Sequence, residues 1–243
     1  MGGYDYSIYY RFFHDTSDTH AEEMACWLAS DLVPYLPDDR NAKVLDVGCG
    51  FGFALRALQN LGFADVMGLE QSAEQARVAS DAGFHVVTRD SSSAWLSNHP
   101  DEWDVVLLLD VLEHVPVEHQ IHFLRTIYGA LRAGGLLIIT VPNANAILAS
   151  RWRYNDHTHH CSFTEHSLLF VLRNAGFPKV NVADDKGISR FPKRLWTRSG
   201  RRALRHWLVR WTWLQVYKAE LGADELPAIS FDLNLRAVAF KDA

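Results

Sequence analysis

Apolar positions along the chain fall into two alternating rhythms. Residues 44–47 (Val-Leu-Asp-Val) are apolar apart from Asp46 and largely β-branched, as suits a strand covered on both faces, and they run into Gly48-Cys49-Gly50-Phe51-Gly52. Three glycines at alternate positions let the backbone turn sharply and let a ligand approach closely. Helix formers over 54–61 follow, so a helix there points free N–H groups at whatever lies over the glycines. The rhythm then repeats. Residues 65–70 predict a second strand, Ser72 with Glu74 and Gln75 a helix start, 85–90 a third strand with Ser91 as the next cap, and 103–111 a long fourth strand. Pro116 opens a helix expected to reach Arg132, Gly134-Gly135 lie beyond it, and 136–141 form a fifth strand closed by Pro142-Asn143. This alternation is that of a doubly wound α/β sheet.

The flanks depart from that rhythm. Residues 144–163 read as a loop rich in His, Asn, Arg and aromatics, after which a helix begins at Thr164-Glu165, carries Leu168, Leu169 and Leu172, and stops at Gly176-Phe177-Pro178. Strands are expected over 178–183 and 231–241. At the other end, Tyr4, Tyr6, Tyr9, Tyr10, Phe12 and Phe13 precede Met24, Trp27, Leu28 and Leu32 at helical spacing, ended by Pro34 and Pro37. Residues 1–39 therefore read as a helical lid on a single domain of 243 residues.

Composition adds an address and a charge asymmetry. No run of about 18 apolar residues predicts a spanning helix, and the start has no basic-then-apolar signal pattern, so a cytoplasmic protein is expected. Cys26, Cys49 and Cys161 are too scattered for a disulfide framework or a structural zinc site. The net charge is -5, yet residues 186–213 hold nine Lys or Arg and no Asp or Glu, against fifteen basic and 29 acidic residues elsewhere. Four of the eight tryptophans (Trp196, Trp207, Trp211, Trp213) lie in the same stretch. We read 186–227 as a basic insertion or cap containing a helix over 201–215. One side of that helix would carry Ala203, Leu204, Trp207, Leu208, Trp211 and Leu214, and the other Arg201, Arg202, Arg205, His206 and Arg210, with Val209 and Trp213 interrupting the division. Such a segment can pack with a solvated basic face, close over an anionic substrate, or rest peripherally on acidic lipid. Nucleic acid is not expected, because the body is acidic and Pro142 is followed by Asn143-Ala144-Asn145 rather than a base-methylation motif.

The candidate chemistry lies at the strand ends. Glu70 ends the second strand 18 residues after Gly52, where a carboxylate can accept both hydroxyls of a ribose. Asp46 is poorly placed for a core and better placed to accept from a ligand ammonium or to fix the turn, and Asp90 with Ser91 could meet an adenine edge. No Lys follows the glycines, so a P-loop is excluded, and Phe53 breaks the pattern of nicotinamide enzymes. Residues 44–52 with Glu70, Asp90, Asp110-Val111-Leu112-Glu113-His114-Val115 and Leu131-Arg132-Ala133-Gly134-Gly135 resemble the class I S-adenosylmethionine-dependent methyltransferases. The resemblance covers roughly residues 40–183. It implies a Rossmann-like, seven-stranded, mostly parallel sheet whose last strand is antiparallel, with S-adenosylmethionine as cofactor. By that resemblance Asp46, Gly48, Gly50 and Gly52 hold the methionine part, Glu70 the ribose, and Asp90 and Ser91 the adenine. Gln71 joins these contacts, and Asp110 lies beneath the sulfonium.

Transfer to a hydroxyl also needs a proton acceptor. Residues 156–164 (Asp-His-Thr-His-His-Cys-Ser-Phe-Thr) resemble the Asp-x-Thr-His segment before a Phe-Thr helix start in small-molecule and sugar O-methyltransferases, which singles out His159; His114 is the second candidate. Asp110, Glu113 and His114 could ligate a divalent cation, as in resembling quinone-ring O-methyltransferases, but no functional metal is expected. The reading is an O-methyltransferase for a small-molecule or glycan-linked hydroxyl of surface-polysaccharide biosynthesis. The alternatives are a quinone-like or lipid-associated aromatic acceptor, an amino sugar methylated on nitrogen, or a cofactor-binding module without catalysis. Oligomeric state is left open.

Overall fold

The computed structural model describes residue 8 and residues 11–182, 196–222 and 229–242. Seven strands form one sheet: β1 (Val44–Val47), β2 (Val66–Glu70), β3 (Val86–Thr88), β4 (Trp103–Leu109), β5 (Leu131–Pro142), β6 (Lys179–Val182) and β7 (Asn234–Phe240). Their spatial order is β3-β2-β1-β4-β5-β7-β6. All pairings are parallel except those of β7, which runs antiparallel to both β5 and β6. The seven-stranded, mostly parallel sheet expected from the sequence is what forms.

Strand alternation divides the core into two layers. Leu45, Val47, Val106, Leu108, Leu137 and Ile139 point to one face, where α4 (Ser92–Ser97), α5 (Val117–Ala130) and α7 (Glu165–Ala175) contribute Leu96, Phe123, Leu124, Ile127, Leu168 and Leu172. Val44, Val105, Leu107 and Ile138 point to the other, covered by Leu32 of α1 (Asp18–Leu32) and Ala54 and Leu58 of α2 (Phe53–Asn60). Buried on both faces, the central strands read in the sequence as continuous apolar runs. Polar caps set the helix starts: Ser17, Ser91 and Thr164 each accept from a backbone N–H, and Ser72 does the same for α3 (Ala73–Asp81).

Four local expectations change. The helix after Pro116 ends at Ala130 rather than Arg132, because Leu131 pairs with Trp103 as the start of β5, and a register shift between Trp103 and Val105 accommodates Gly134-Gly135. Residues 144–163 are not all loop, since they contain α6 (Ala149–Asn155). The insertion helix, α8 (Arg198–Leu221), is longer than 201–215. Its faces are also rotated from those expected. Arg210 is buried and bonded to Asp232 at 2.7 Å, whereas Leu208 and Trp211 are exposed. The aromatic residues Tyr4, Tyr6, Tyr9 and Tyr10, together with 186–195 and 223–227, lie outside the described residues. Among the described residues no helix is long and apolar enough to cross a membrane.

The β1–α2 turn is the most constrained backbone. Gly48 has φ +78°, and a Cβ there would lie 2.5 Å from Val111 Cγ2. Gly62 also has positive φ but nothing within 4 Å of a built Cβ. Gly62→Ala is therefore expected to cost about 1 kcal/mol for its backbone alone, and Gly48→Ala at least about 2 kcal/mol, because strain and overlap combine. Urea unfolding of both variants checks this, equal losses arguing against a steric role for Val111.

Candidate active site

The carboxyl ends of β1, β2, β4 and β5 open onto one cavity of about 1680 Å³, with α1, residues 156–160 and the start of β7 as its other walls. At one end lies the glycine turn. Glu70 is buried, and its Oε2 accepts from Gly50 N–H at 2.9 Å while Oε1 accepts from Ser72 N–H at 2.7 Å. Burial raises its pKa and these N–H donors oppose the rise. Asp46, also buried, is pushed up to about 7, first by burial and then by the Glu70 charge. Neither carboxylate has an ion-pair partner among the described residues, so the pair is suited to a ligand that brings hydroxyl and ammonium donors.

Gln71 Nε2 donates to Ser92 Oγ at 3.3 Å, and both line the cavity beside Ser91, whose Oγ accepts from Ala94 N–H to cap α4. Asp90 does not join them. It is exposed and outside the cavity lining, because β3 stops at Thr88 and the chain has already turned away. The buried polar group nearest the role expected of it is Ser92, which the sequence reading missed within a run of three serines.

Asp110, at the end of β4, has φ +54°, a left-handed backbone uncommon outside glycine. The surroundings hold it there. Thr140 Oγ1 donates to Asp110 Oδ1 at 3.1 Å, Asn234 Nδ2 donates to the same oxygen at 2.9 Å, and Asp110 N–H donates to Thr140 O at 3.1 Å. Asn234 comes from the antiparallel strand, so its approach to Asp110 across 124 positions was not legible in the sequence.

The other end is built from the 3₁₀ turn Leu112–His114 and residues 156–160. Gln120, buried on α5, ties the two together by donating from Nε2 to Leu112 O, Val115 O and Cys161 Sγ, while His160 N–H donates to Glu113 O at 2.7 Å. Two proton chains result. His114 Nδ1 lies 2.8 Å from Thr158 Oγ1, and the single Thr158 hydroxyl proton goes to Asp156 Oδ1 at 2.7 Å. His114 must then donate through Nδ1. His159 Nδ1 lies 3.2 Å from Trp152 O, a carbonyl that can only accept, so His159 Nε2 is left as an acceptor. The two rings meet edge to face with centroids 4.6 Å apart.

Electrostatics sharpens this end. Burial lowers the His159 pKa below 6.5 and lowers that of His114 to about 4, with neighbouring histidines adding to the latter, so both imidazoles are neutral at pH 7. Glu113 is buried, neither of its carboxylate oxygens has a hydrogen-bond partner among the described residues, and burial first and Asp110 second push its pKa well up. His159 Nε2 lies 3.9 Å from Glu113 Oε1 and 3.8 Å from Asp156 Oδ2, too far for direct hydrogen bonds, and the Asp156 charge opposes the lowering by burial. Glu113, His114 and His159 each offer one ligand atom within 4.8 Å of the others, so a cation could be held here. Asp110 is not in that set, whereas the sequence reading had included it and omitted His159.

Asp156 and Thr158 were visible in the sequence as part of a motif, but their link to His114 needs the fold. Trp152 was not flagged. It sits on α6, lines the cavity, and has a buried Nε1 without a partner among the described residues.

A doubly wound sheet with one antiparallel strand, a glycine turn faced by two buried carboxylates and a second pole of neutral histidines define an S-adenosylmethionine-dependent methyltransferase of class I. The chain belongs to the methyltransferase-domain family, which it matches over residues 20–182. It is similar to proteins named ubiquinone biosynthesis O-methyltransferase. One from Roseobacter denitrificans is 32% identical over 179 residues, covering 67% of this chain and 69% of that protein. Another, from Cereibacter sphaeroides, is 29% identical over 186 residues, covering 70% and 72%. Among solved structures, an S-adenosylmethionine-dependent methyltransferase from Archaeoglobus fulgidus superposes with a TM-score of 0.66 at 19% identity, covering 89% of this chain and 94% of the other. One from Mesorhizobium loti gives 0.57 at 18% identity, covering 91% and 100%. These structures share the fold.

Asp46 makes a direct prediction. Its folded pKa of about 7 exceeds the ordinary 3.8, so its contribution to the stability of the ligand-free protein is complete below about 4 and lost as pH rises through 7. Asp46→Asn is expected to match the parent near pH 3.5 and to exceed it by up to about 4 kcal/mol near pH 8, read by urea unfolding at both values.

Proposed function

We propose that this chain methylates a hydroxyl group, with His159 as the base and the glycine turn as the cofactor cradle. Gly48, Gly50 and Gly52 with Asp46 would hold the amino-acid end of S-adenosylmethionine, and Glu70 the ribose. Gln71 with Ser91 and Ser92 would meet the adenine edge, and Asp110 would lie beneath the sulfonium. The residues fit that group: Gly48 and Gly50 line the cavity without side chains, and Asp46 and Glu70 are buried acceptors on its wall lacking cationic partners among the described residues. The bound cofactor supplies a methyl group on sulfur whose departure as a neutral thioether needs no acid.

What the chain must add is proton removal and positioning. His159 Nε2, the acceptor left by the bond from Nδ1 to Trp152 O, takes the hydroxyl proton, and the Asp156 carboxylate beside it favours the imidazolium that forms. This pairing of a neutral histidine with a buried carboxylate is the observation that carries the reading. His114, locked through Thr158 to Asp156, packs against the His159 ring and limits its orientation. A cation held by Glu113, His114 and His159 would instead bind the substrate oxygen and assist its ionisation.

For the acceptor we favour a hydroxyl on a phenolic or quinone-derived ring. The names of the relatives support this, as do the apolar and aromatic cavity walls of Val111, Val115, Phe123, Trp152 and Leu233. A sugar hydroxyl is the second reading, favoured by the polar wall of His119, His122, Arg210, Asp232 and Asn234. Turnover of labelled S-adenosylmethionine against panels of dihydroxybenzenes and of nucleotide-linked sugars separates them. An amino sugar methylated on nitrogen would leave His159 nearly dispensable, and a module without catalysis would methylate nothing in either panel.

His159→Ala is expected to lower turnover by about 10²- to 10⁴-fold while calorimetric affinity for S-adenosylmethionine stays nearly unchanged. Normal turnover in that variant would move the base to His114. Because both histidine pKa values are lowered, the acidic limb of kcat/KM is expected below pH 6.5, the rate falling as His159 gains its proton. Glu70→Ala is expected to weaken cofactor binding by about 1–3 kcal/mol, since it loses hydrogen bonds to a charged group; unchanged affinity would remove the ribose assignment.

A further inference from the structure

Helix α8 has an inner and an outer side, and the inner side is fully used. Arg210 bonds to Asp232 at 2.7 Å, Trp213 Nε1 donates to Asn145 O at 3.1 Å, and Tyr217 OH donates to Asn145 Oδ1 at 3.2 Å while its ring packs on Phe231. These contacts fix the helix at the cavity mouth, where Arg210 and Asp232 are themselves lining residues.

The outer side has no such use. Arg198, Arg201, Arg202 and Arg205 are exposed along its first turns, and none forms an ion pair among the described residues. At the same helical spacing the face continues into exposed apolar residues, with Leu208, Val209 and Val216 in line and Trp211 on the flank, 45–54% accessible. Leu221 at the far end is 52% accessible and Trp196 at the foot of the helix is 76%. A face serving only solubility would not expose this series, and a binding site for a small anion would not need it. Arginines followed by Leu, Val and Trp on one exposed face suit the boundary between anionic headgroups and acyl chains. There the guanidinium groups meet phosphates and the apolar side chains enter the first layer of hydrocarbon.

We propose that the outer face of α8 is a peripheral docking surface for an anionic lipid bilayer. The charge of the chain agrees with this, because the basic residues of the insertion sit on a body in which acidic residues outnumber basic ones by nearly two to one. The surface stands whichever hydroxyl is methylated, and its test does not depend on turnover.

The test is flotation of the full chain with vesicles of phosphatidylcholine alone or mixed with phosphatidylglycerol. Binding is expected only to the mixed vesicles, with loss between about 0.1 and 0.5 M salt as screening shortens. The triple variant Arg201→Gln, Arg202→Gln, Arg205→Gln is expected to bind about a hundredfold more weakly. Leu208→Ser with Val209→Ser and Trp211→Ser is expected to bind at least tenfold more weakly at low salt, with unchanged circular dichroism and unchanged turnover of a water-soluble acceptor. Failure to float with the mixed vesicles, or equal flotation of parent and both variants, would overturn the proposal. So would a dimer seen by sedimentation and abolished by the apolar variant, because it would give this face to a second copy of the chain.

Discussion

Glu70 accepts hydrogen bonds from Gly50 N–H and Ser72 N–H, and this one carboxylate joins the turn after β1 to the start of the helix after β2. The bond to Gly50 requires the turn to come back toward β2, which it does through left-handed backbone at Gly48, Gly50 and Gly52. The same bend brings Gly48 against Val111, fixing where the chain leaves β4. Three strand ends are thus held in one arrangement by a buried charge and three residues without side chains. The cost is electrostatic, since burial raises the pKa of both carboxyl groups and the Glu70 charge adds to the rise at Asp46. A cationic, hydroxyl-bearing ligand relieves that cost, so binding and the order of the turn are coupled.

The opposite pole follows a related logic with different groups. Glu113 is buried without a hydrogen-bond partner among the described residues, and two histidines beside it are held neutral. The support comes from behind: Gln120 holds the 3₁₀ turn, Asp156 orients Thr158, and the Trp152 carbonyl fixes the tautomer of His159. A proton taken up by His159 faces the Asp156 carboxylate, which offsets part of the cost that burial imposes on the imidazolium.

Between the poles, the antiparallel strand β7 does more than complete the sheet. It delivers Asn234 to Asp110 and Arg236 to Asp31 of α1, so the rim of the cavity is tied to α1 by a residue 205 positions away. The segment leading into β7 is clasped by Asn143, whose Nδ2 donates to Ser230 O and Asp232 O at 2.8 Å. Asp232 in turn holds Arg210, which is why the insertion helix turns a basic residue inward and leaves Leu208 and Trp211 exposed.

The succession of strands and helices, the glycine turn, and Glu70 at a strand end beside it were legible from local pattern, because a buried parallel strand needs a run such as 103–109 and a left-handed turn needs glycine. Candidate histidines were legible as residue types at a strand end. Their roles were not, because a tautomer depends on what the other ring nitrogen meets, and Trp152 O and Thr158 Oγ1 are chosen by tertiary packing. The exposure of Asp90 was illegible for the same reason: its position in sequence suggested the crevice, but β3 ends two residues earlier than expected, at Thr88, and Asp90 faces solvent. The faces of α8 were misread because helical periodicity ranks residues by polarity, whereas an aspartate carboxylate 22 positions away decided that Arg210 would lie inside. Local sequence determined which elements form and which residues reach the carboxyl edge of the sheet; long-range hydrogen bonds and burial decided which of those residues are charged, oriented and paired.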